Sequence, residues 1–259
     1  MIYEVIVPGN ITSGFPNGDR RVDELIDFFY DANVALHLYQ SVTTYDAGSG
    51  FPSLEDFERR RELREKIANE LCVEQGISNR YSMSFDSRNS FDFEVEVRLK
   101  KVRWEKEGGP KIFKSKQPFM HARSFLFALD NFEKSLGRLV KDDGCPDPLA
   151  VAHKFMIDSF PDLREVRNST HHLEDRLRGE GRNGKPLERK PINSHGFNLP
   201  GGGLLLISGL VNNQFTCTKF DGNIGSVPVT IDSMDTLFKI LQDVINAFVW
   251  EGHKRHLPS

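Results

Sequence analysis

Apolar side chains recur along this chain in blocks at three- and four-residue steps, the spacing that gathers them on one face of a helix. Val22, Leu25, Ile26, Phe29, Ala32 and Leu36 predict a helix over residues 20–44, closed by Gly48 and Gly50. After Pro52 and Ser53, the stretch from Leu54 to Cys72 places acids ahead of bases and carries a narrow stripe of Leu63, Ile67 and Leu71, which predicts a second helix. Its Arg59-Arg60-Arg61 run is interleaved with Glu55, Glu58, Glu62 and Glu65, the make-up of an ordinary solvated face. Residues 76–90, rich in Ser and Asn, predict a loop.

Residues 91–109 carry two periods at once. Phe91, Phe93, Val95, Val97 and Leu99 alternate as in a strand, whereas early acids, late bases and the closing Gly108-Gly109 pair fit a helix, and the charges tip the reading to helix. The broadest apolar face follows from about Pro118 to Lys141, where Ala122, Phe125, Leu126, Leu129, Phe132, Leu136 and Leu139 predict the central core helix. A shorter helix is expected over Pro148–Ser159. Pro161 in a first turn and Gly179 just past Arg176 and Arg178 frame another over residues 160–178.

Residues 179–202, rich in Gly, Pro, Asn and charge, predict an exposed, mobile loop. Beyond it, residues 204–211, 214–220 and 224–231 are short β-type runs separated by Asn212-Asn213 and Asp221-Gly222, which predict a three-stranded meander. Asp232 and Ser233 offer N-caps to a final amphipathic helix over residues 234–250. The expected fold class is therefore mainly α (α+β). An antiparallel helical bundle spans residues 1–178, a flexible loop 179–202, and a small C-terminal β-meander with a terminal helix, residues 203–250, packs on the bundle in one continuous domain.

Composition narrows the function classes. With 38% hydrophobic and 27% charged residues the chain is too apolar to be disordered. Cys72, Cys145 and Cys217 lie far apart, which excludes a zinc knuckle or a paired redox motif. The opening MIYEVIVPGN is too short in its apolar run for a signal peptide, and nowhere do eighteen apolar residues follow one another, so the expected location is the cytoplasm with no membrane partner. A net charge of −3 argues against coating nucleic acid through global charge, but the segment from Arg98 to Lys116 holds eight basic residues against two acids. That stretch suits either a phosphate backbone or a solvated helix end.

The 160–178 segment carries the strongest chemical signal. At about 100° per residue, Leu163, Val166, Thr170, Leu173 and Leu177 share a core face, leaving Arg164, Arg167, Asn168, His171, His172 and Asp175 on the flank and opposite side. Imidazole moves protons near neutral pH, and guanidinium clamps phosphate through paired hydrogen bonds. The same residues, with Glu174 beside them, also fit a salt-bridged solvated face.

The run Arg167-Asn168-Ser169-Thr170-His171-His172 resembles the Arg-polar-x-x-x-His motif of the HEPN superfamily (higher eukaryotes and prokaryotes nucleotide-binding), in which the motif lies on a late helix of an antiparallel bundle. The resemblance covers residues 20–178 in architecture and six residues in motif. It implies a metal-independent endoribonuclease in which a ribose 2′-hydroxyl attacks the adjacent phosphate. In this chain it implies catalytic roles for Arg167 and His172, help from Asn168, and substrate contacts from His171, Arg164 and Asp175, with no cofactor and no resident metal. Five residues of helix separate Arg167 from His172 by about 140°; the family's answer is a homodimer whose cleft draws on both subunits. RNA is the implied partner, in a toxin or defence role that an antitoxin or other regulatory protein would restrain. Catalytically silent relatives imply the alternative of a non-catalytic nucleotide-binding or protein-interaction module.

Other candidates carry less. His121 and Arg123 are placed to line the same cleft or to serve structure, and His153 reads as structural. Gly201-Gly202-Gly203 lacks the Gly-Lys-Ser/Thr and following helix of a phosphate loop. His253 and His256 lie in a polar tail expected to be disordered. His171 and Asp175, four residues apart, offer at most a casual divalent-ion site.

Overall fold

The computed structural model describes residues 2–12, 15, 17–43, 53–181, 184–188, 190–194, 197–199 and 205–258; Gly48, Gly50 and Gly201–Gly203 lie outside them. The protein is mainly helical with a small three-stranded antiparallel sheet, as the pattern predicts. Its chain forms two compact units, residues 1–41 with 117–259 (unit 1) and residues 42–116 (unit 2). The boundaries drawn from sequence at residues 178 and 203 both fall inside unit 1.

In unit 1, helix α1 (Gly18–Thr43) buries all six positions of its predicted stripe. Helix α4 (Lys111–Leu139) buries Ala122, Phe125, Leu126, Leu129, Phe132, Leu136 and Leu139. It begins seven residues before the predicted start and runs through Pro118. Proline there removes one helical donor, but residues 111–117 are all exposed, so water can serve the freed carbonyl. Helix α5 (Pro148–Ser159) has its predicted bounds and packs on α8 (Ile231–Asn246). The cap of α8 is Thr230, whose hydroxyl accepts from the Ser233 amide, rather than Asp232 or Ser233.

The predicted helix 160–178 is two helices, α6 (Leu163–His171) and α7 (Leu173–Leu177), broken at His172, where ψ is 52°. Polar Asn168, Ser169 and Thr170 precede the break, and Thr170 Oγ1 turns back to bond the Val166 carbonyl at 2.8 Å, a competition that weakens helix interiors. The break changes the helical phase. Leu163 and Val166 are buried as expected, but Leu177 is 65% exposed, and Ser169 and Arg176 take buried positions instead.

The meander consists of β5 (Gly209–Val211), β6 (Gln214–Thr218) and β7 (Ile224–Pro228), in that order. Asn212 and Asn213 both have positive φ, the conformation of a tight two-residue hairpin turn. The first strand is shorter than predicted, and Leu206 instead gives its amide to the Thr218 hydroxyl. Helix α6 packs on β6 and β7. It comes close at Gly225, where a Cβ would lie 3.0 Å from Val166.

Two further corrections concern segments expected to lack order. Within 179–202, Glu180 bridges Pro186 and β3 (Ile192–Ser194) pairs with β4 (Phe197–Leu199). Of the polar tail, Arg255–Leu257 forms a strand, β9, antiparallel to β1 (Val5–Val7), while β8 (Trp250–Glu251) pairs with β2 (Asn10–Ile11). The buried Val5 and Val7 supply the anchor that a count of polar residues in the tail misses.

Unit 2 contains α2 (Leu54–Glu74) and α3 (Phe85–Glu107). Ser53 and Asp56 form a reciprocal cap at the start of α2. The ambiguous segment is helical. Phe91, Val95 and Leu99 are buried at four-residue steps while Phe93 is exposed, and Gly108 ends the helix with φ of 71°. Among the described residues no helix is long and apolar enough to cross a membrane.

Candidate functional site

Asp162, just ahead of α6, accepts from Lys219 Nζ at 2.9 Å and from the Ser226 amide at 3.1 Å, so the start of α6 is tied to the sheet. From that fixed start, the four-residue step carries Arg164, Asn168 and then His172, at the helix break, along one side. They line an open cleft of about 530 Å³ together with Glu165, Asp175, Arg176, Gly181, Gly184 and Phe220. The break at His172 brings Asp175 and Arg176 into the same walls.

Four of the six residues singled out in the sequence therefore meet here: Arg164, Asn168, His172 and Asp175. Arg167 and His171 are not among the walls. Arg167 turns toward α4, where its Nε donates to Asp130 Oδ2 at 2.6 Å and its Nη1 to Asn168 Oδ1 at 3.0 Å. Asp130 is 2% exposed and also receives Lys134 Nζ at 2.7 Å. Burial pushes its carboxyl above the ordinary value against the opposing pull of Arg167. His171 stands edge-on to Phe127, ring centres 5.2 Å apart.

The Asp130–Arg167–Asn168 chain fixes what Asn168 can offer. Its side-chain oxygen is taken by Arg167, so its amide N–H groups are the atoms left for the cleft. Arg164 is exposed and makes no ion pair with any described residue. His172 is exposed, with Nδ1 3.9 Å from Asp175 and 4.0 Å from Glu174. The ligand atoms of these three lie within 4.8 Å of one another, so a divalent ion would be held by His172, Glu174 and Asp175, not by the His171–Asp175 pair the spacing suggested. Arg176 is buried. Its Nη1 donates to the Glu180 carbonyl, while its Nε and the Oε2 of Glu165 are buried without a hydrogen-bond partner.

The remaining candidates have other duties. Arg123 reaches Ser208 at 3.3 Å, and neither it nor His121 is among the cleft's walls. His153 meets Glu133 at 2.9 Å and His256 meets Glu4 at 3.2 Å.

Sequence reasoning missed Asp130, Arg176 and Phe220. Asp130 did leave a signal, because an acid directly beside Leu129 in the chain's broadest apolar face calls for a buried cation. Arg176 left none, since its burial depends on the helix break, and Phe220 left none, since it comes from the turn after β6. Comparison with protein-family models, curated proteins and solved structures finds no match for this chain.

Proposed function

We propose that the α6–α7 cleft binds RNA and cleaves it without a metal. The observation that carries this reading is the meeting in a single open cleft of one imidazole, one oriented amide and one guanidinium that has no ion pair among the described residues. In the proposed reaction His172 takes the proton of a ribose 2′-hydroxyl as its oxygen bonds to phosphorus. The bond to the 5′ oxygen breaks, and the imidazolium returns the proton to that leaving oxygen, giving a cyclic phosphate and a free 5′-hydroxyl. Arg164 meets the charge developing on phosphorus, and Asn168 holds a phosphate oxygen. Arg167 acts through Asn168 and is a positioning residue. A homodimer joined along this exposed face would close the cleft's open side.

The test is incubation of the purified chain with mixed cellular RNA in excess EDTA, across a range of protein concentrations. The parent should leave cyclic phosphate ends, and His172→Ala and Arg164→Ala, folded as judged by circular dichroism, should cut at least about 100-fold more slowly. Undiminished cutting by His172→Ala would overturn the reading. Arg167→Lys should lower kcat more than it raises KM while leaving thermal stability near that of the parent. A second reading rests on the commitment of Arg167 to Asp130: with that guanidinium withdrawn, the cleft holds a nucleotide phosphate without cutting. It predicts intact RNA in every sample but nucleotide binding lost in Arg164→Ala.

A further inference from the structure

Unit 2 contains a groove of about 790 Å³ lined by residues of α2 and α3 and by Lys111, whose walls carry six Lys or Arg side chains against three carboxylates. Several arginines in this unit are engaged: Arg98 with Glu74 and Glu94, Arg103 with Glu107, Arg59 with Glu55. The lysines of residues 100–116 differ from these, and from Lys66, which lies 3.9 Å from Glu70. Lys100, Lys101, Lys106, Lys111, Lys114 and Lys116 are all exposed, and none makes an ion pair with a described residue.

Six unneutralised cations in seventeen residues repel one another in the free protein. Lys111 and Lys114 add to that strain, since they stand in the first turn of α4, which has no acid, where the helix dipole already presents its positive end. Two large aromatic side chains lie among these charges. Trp104 is 41% and Phe113 63% exposed. Trp104 neighbours Lys100 and Lys101 on the surface of α3. The Gly108-Gly109 turn lies against both residues: the Gly109 amide donates to the Trp104 carbonyl at 2.7 Å, and the Phe113 ring lies 3.8 Å from where a Cβ on Gly109 would stand.

Cations that match a phosphate backbone, alternating with exposed rings on which bases stack, are the requirements of a single strand. A duplex keeps its base faces inside the helix, and a membrane surface needs apolar side chains gathered on one continuous face rather than interspersed with lysines. We propose that residues 100–116 are a binding surface for single-stranded nucleic acid. It is a contact separate from the α6–α7 cleft, and it stands whether or not that cleft cuts RNA.

The experiment is fluorescence anisotropy with the full chain and a labelled 16-nucleotide DNA strand, which has no 2′-hydroxyl and so cannot undergo the proposed cleavage, beside its 2′-O-methyl RNA counterpart. Kd is read across a salt series. Combined Lys106→Gln, Lys111→Gln and Lys114→Gln should weaken binding at least tenfold and reduce the slope of log K against log salt by about 2, from roughly 0.7 per phosphate contact. Trp104→Ala and Phe113→Ala should each weaken binding roughly tenfold with the slope unchanged. All these positions are exposed, so the variants keep the fold, which circular dichroism checks. Unchanged Kd in the lysine variant overturns the proposal. So does duplex binding as tight as single-strand binding with the aromatic variants indifferent, and so does binding to phosphatidylserine vesicles with none to either oligonucleotide.

Discussion

In unit 1, Phe29, Phe125, Phe132 and Phe215 are wholly buried in one large apolar cluster drawn from helices and sheet alike. Among the described residues unit 2 has a small cluster of Ile67, Ala68, Leu71, Phe91, Val95 and Leu99 at its centre, and around it Arg64 pairs with Glu96, Arg98 with Glu74 and Arg80 with Glu65 at the surface. The same kind of pair therefore does different work in the two places. Asp130 is shut away from water inside unit 1 and Arg167 is only partly exposed, so each partner depends on the other. In unit 2 water can replace either partner. A polar group's contribution is set by what surrounds it more than by the partner it touches.

The largest expected contrast comes from deleting one carboxylate in each unit. Asp130→Ala leaves Arg167 without its enclosed partner and should cost about 3–5 kcal/mol in urea unfolding. Glu96→Ala removes contacts to Arg60 and Arg64 on side chains that stay wet, and should cost under about 1 kcal/mol. Equal costs would erase the distinction.

A smaller contrast is the sign of the pH response. Burial raises the Asp130 carboxyl, so its contribution to stability is complete below the ordinary value of about 3.9 and is lost as pH rises through the higher folded value. Hydrogen bonds from the Ser53 hydroxyl and amide lower Asp56, so its contribution is present above about 3.9 and is lost as pH falls through the lower folded value. The protection of amides at the start of α2, taken relative to their intrinsic exchange rate at each pH, should therefore fall on acidification below pH 4. Over the same range parent stability, measured against Asp130→Asn, should rise. Matching signs at the two sites would refute this account.

The smallest effect is read at the thiols. Burial pushes Cys217 up to about 12, whereas Cys72 is half-buried in unit 2. With a thiol reagent at pH 8 Cys72 should react in the native protein and Cys217 only after unfolding. Equal rates would mean that the sheet in unit 1 opens as readily as the α2–α3 pair.

Much of the helical framework was legible because its stripes are long and regular. The faces of α1 and α4 could be read residue by residue, and so could the charges that decided α3. What escaped were features that depend on partners far along the chain. No local pattern tells that Val5 and Val7 will pair with residues past 250, and none marks where Thr170 turns back on Val166 and α6 ends. The site divides in the same way. Arg164, Asn168, His172 and Asp175 were found from spacing on one helix. The turning of Arg167 toward Asp130 required knowing where α4 lies, although the isolated acid in its apolar face was a clue.

The register that sets Val5 opposite Leu257 and Val7 opposite Arg255 also has a consequence in time. During synthesis β1 leaves the ribosome some 250 residues ahead of its antiparallel neighbour, an interval on the order of ten to fifty seconds at roughly 5–20 residues per second. For that interval Val5 and Val7 have no strand to pair with, and the covering of unit 1 stays open along that edge. Completion of unit 1 is thus coupled to the arrival of residues 255–257, so a chain halted before them would leave the ribosome with β1 unpaired.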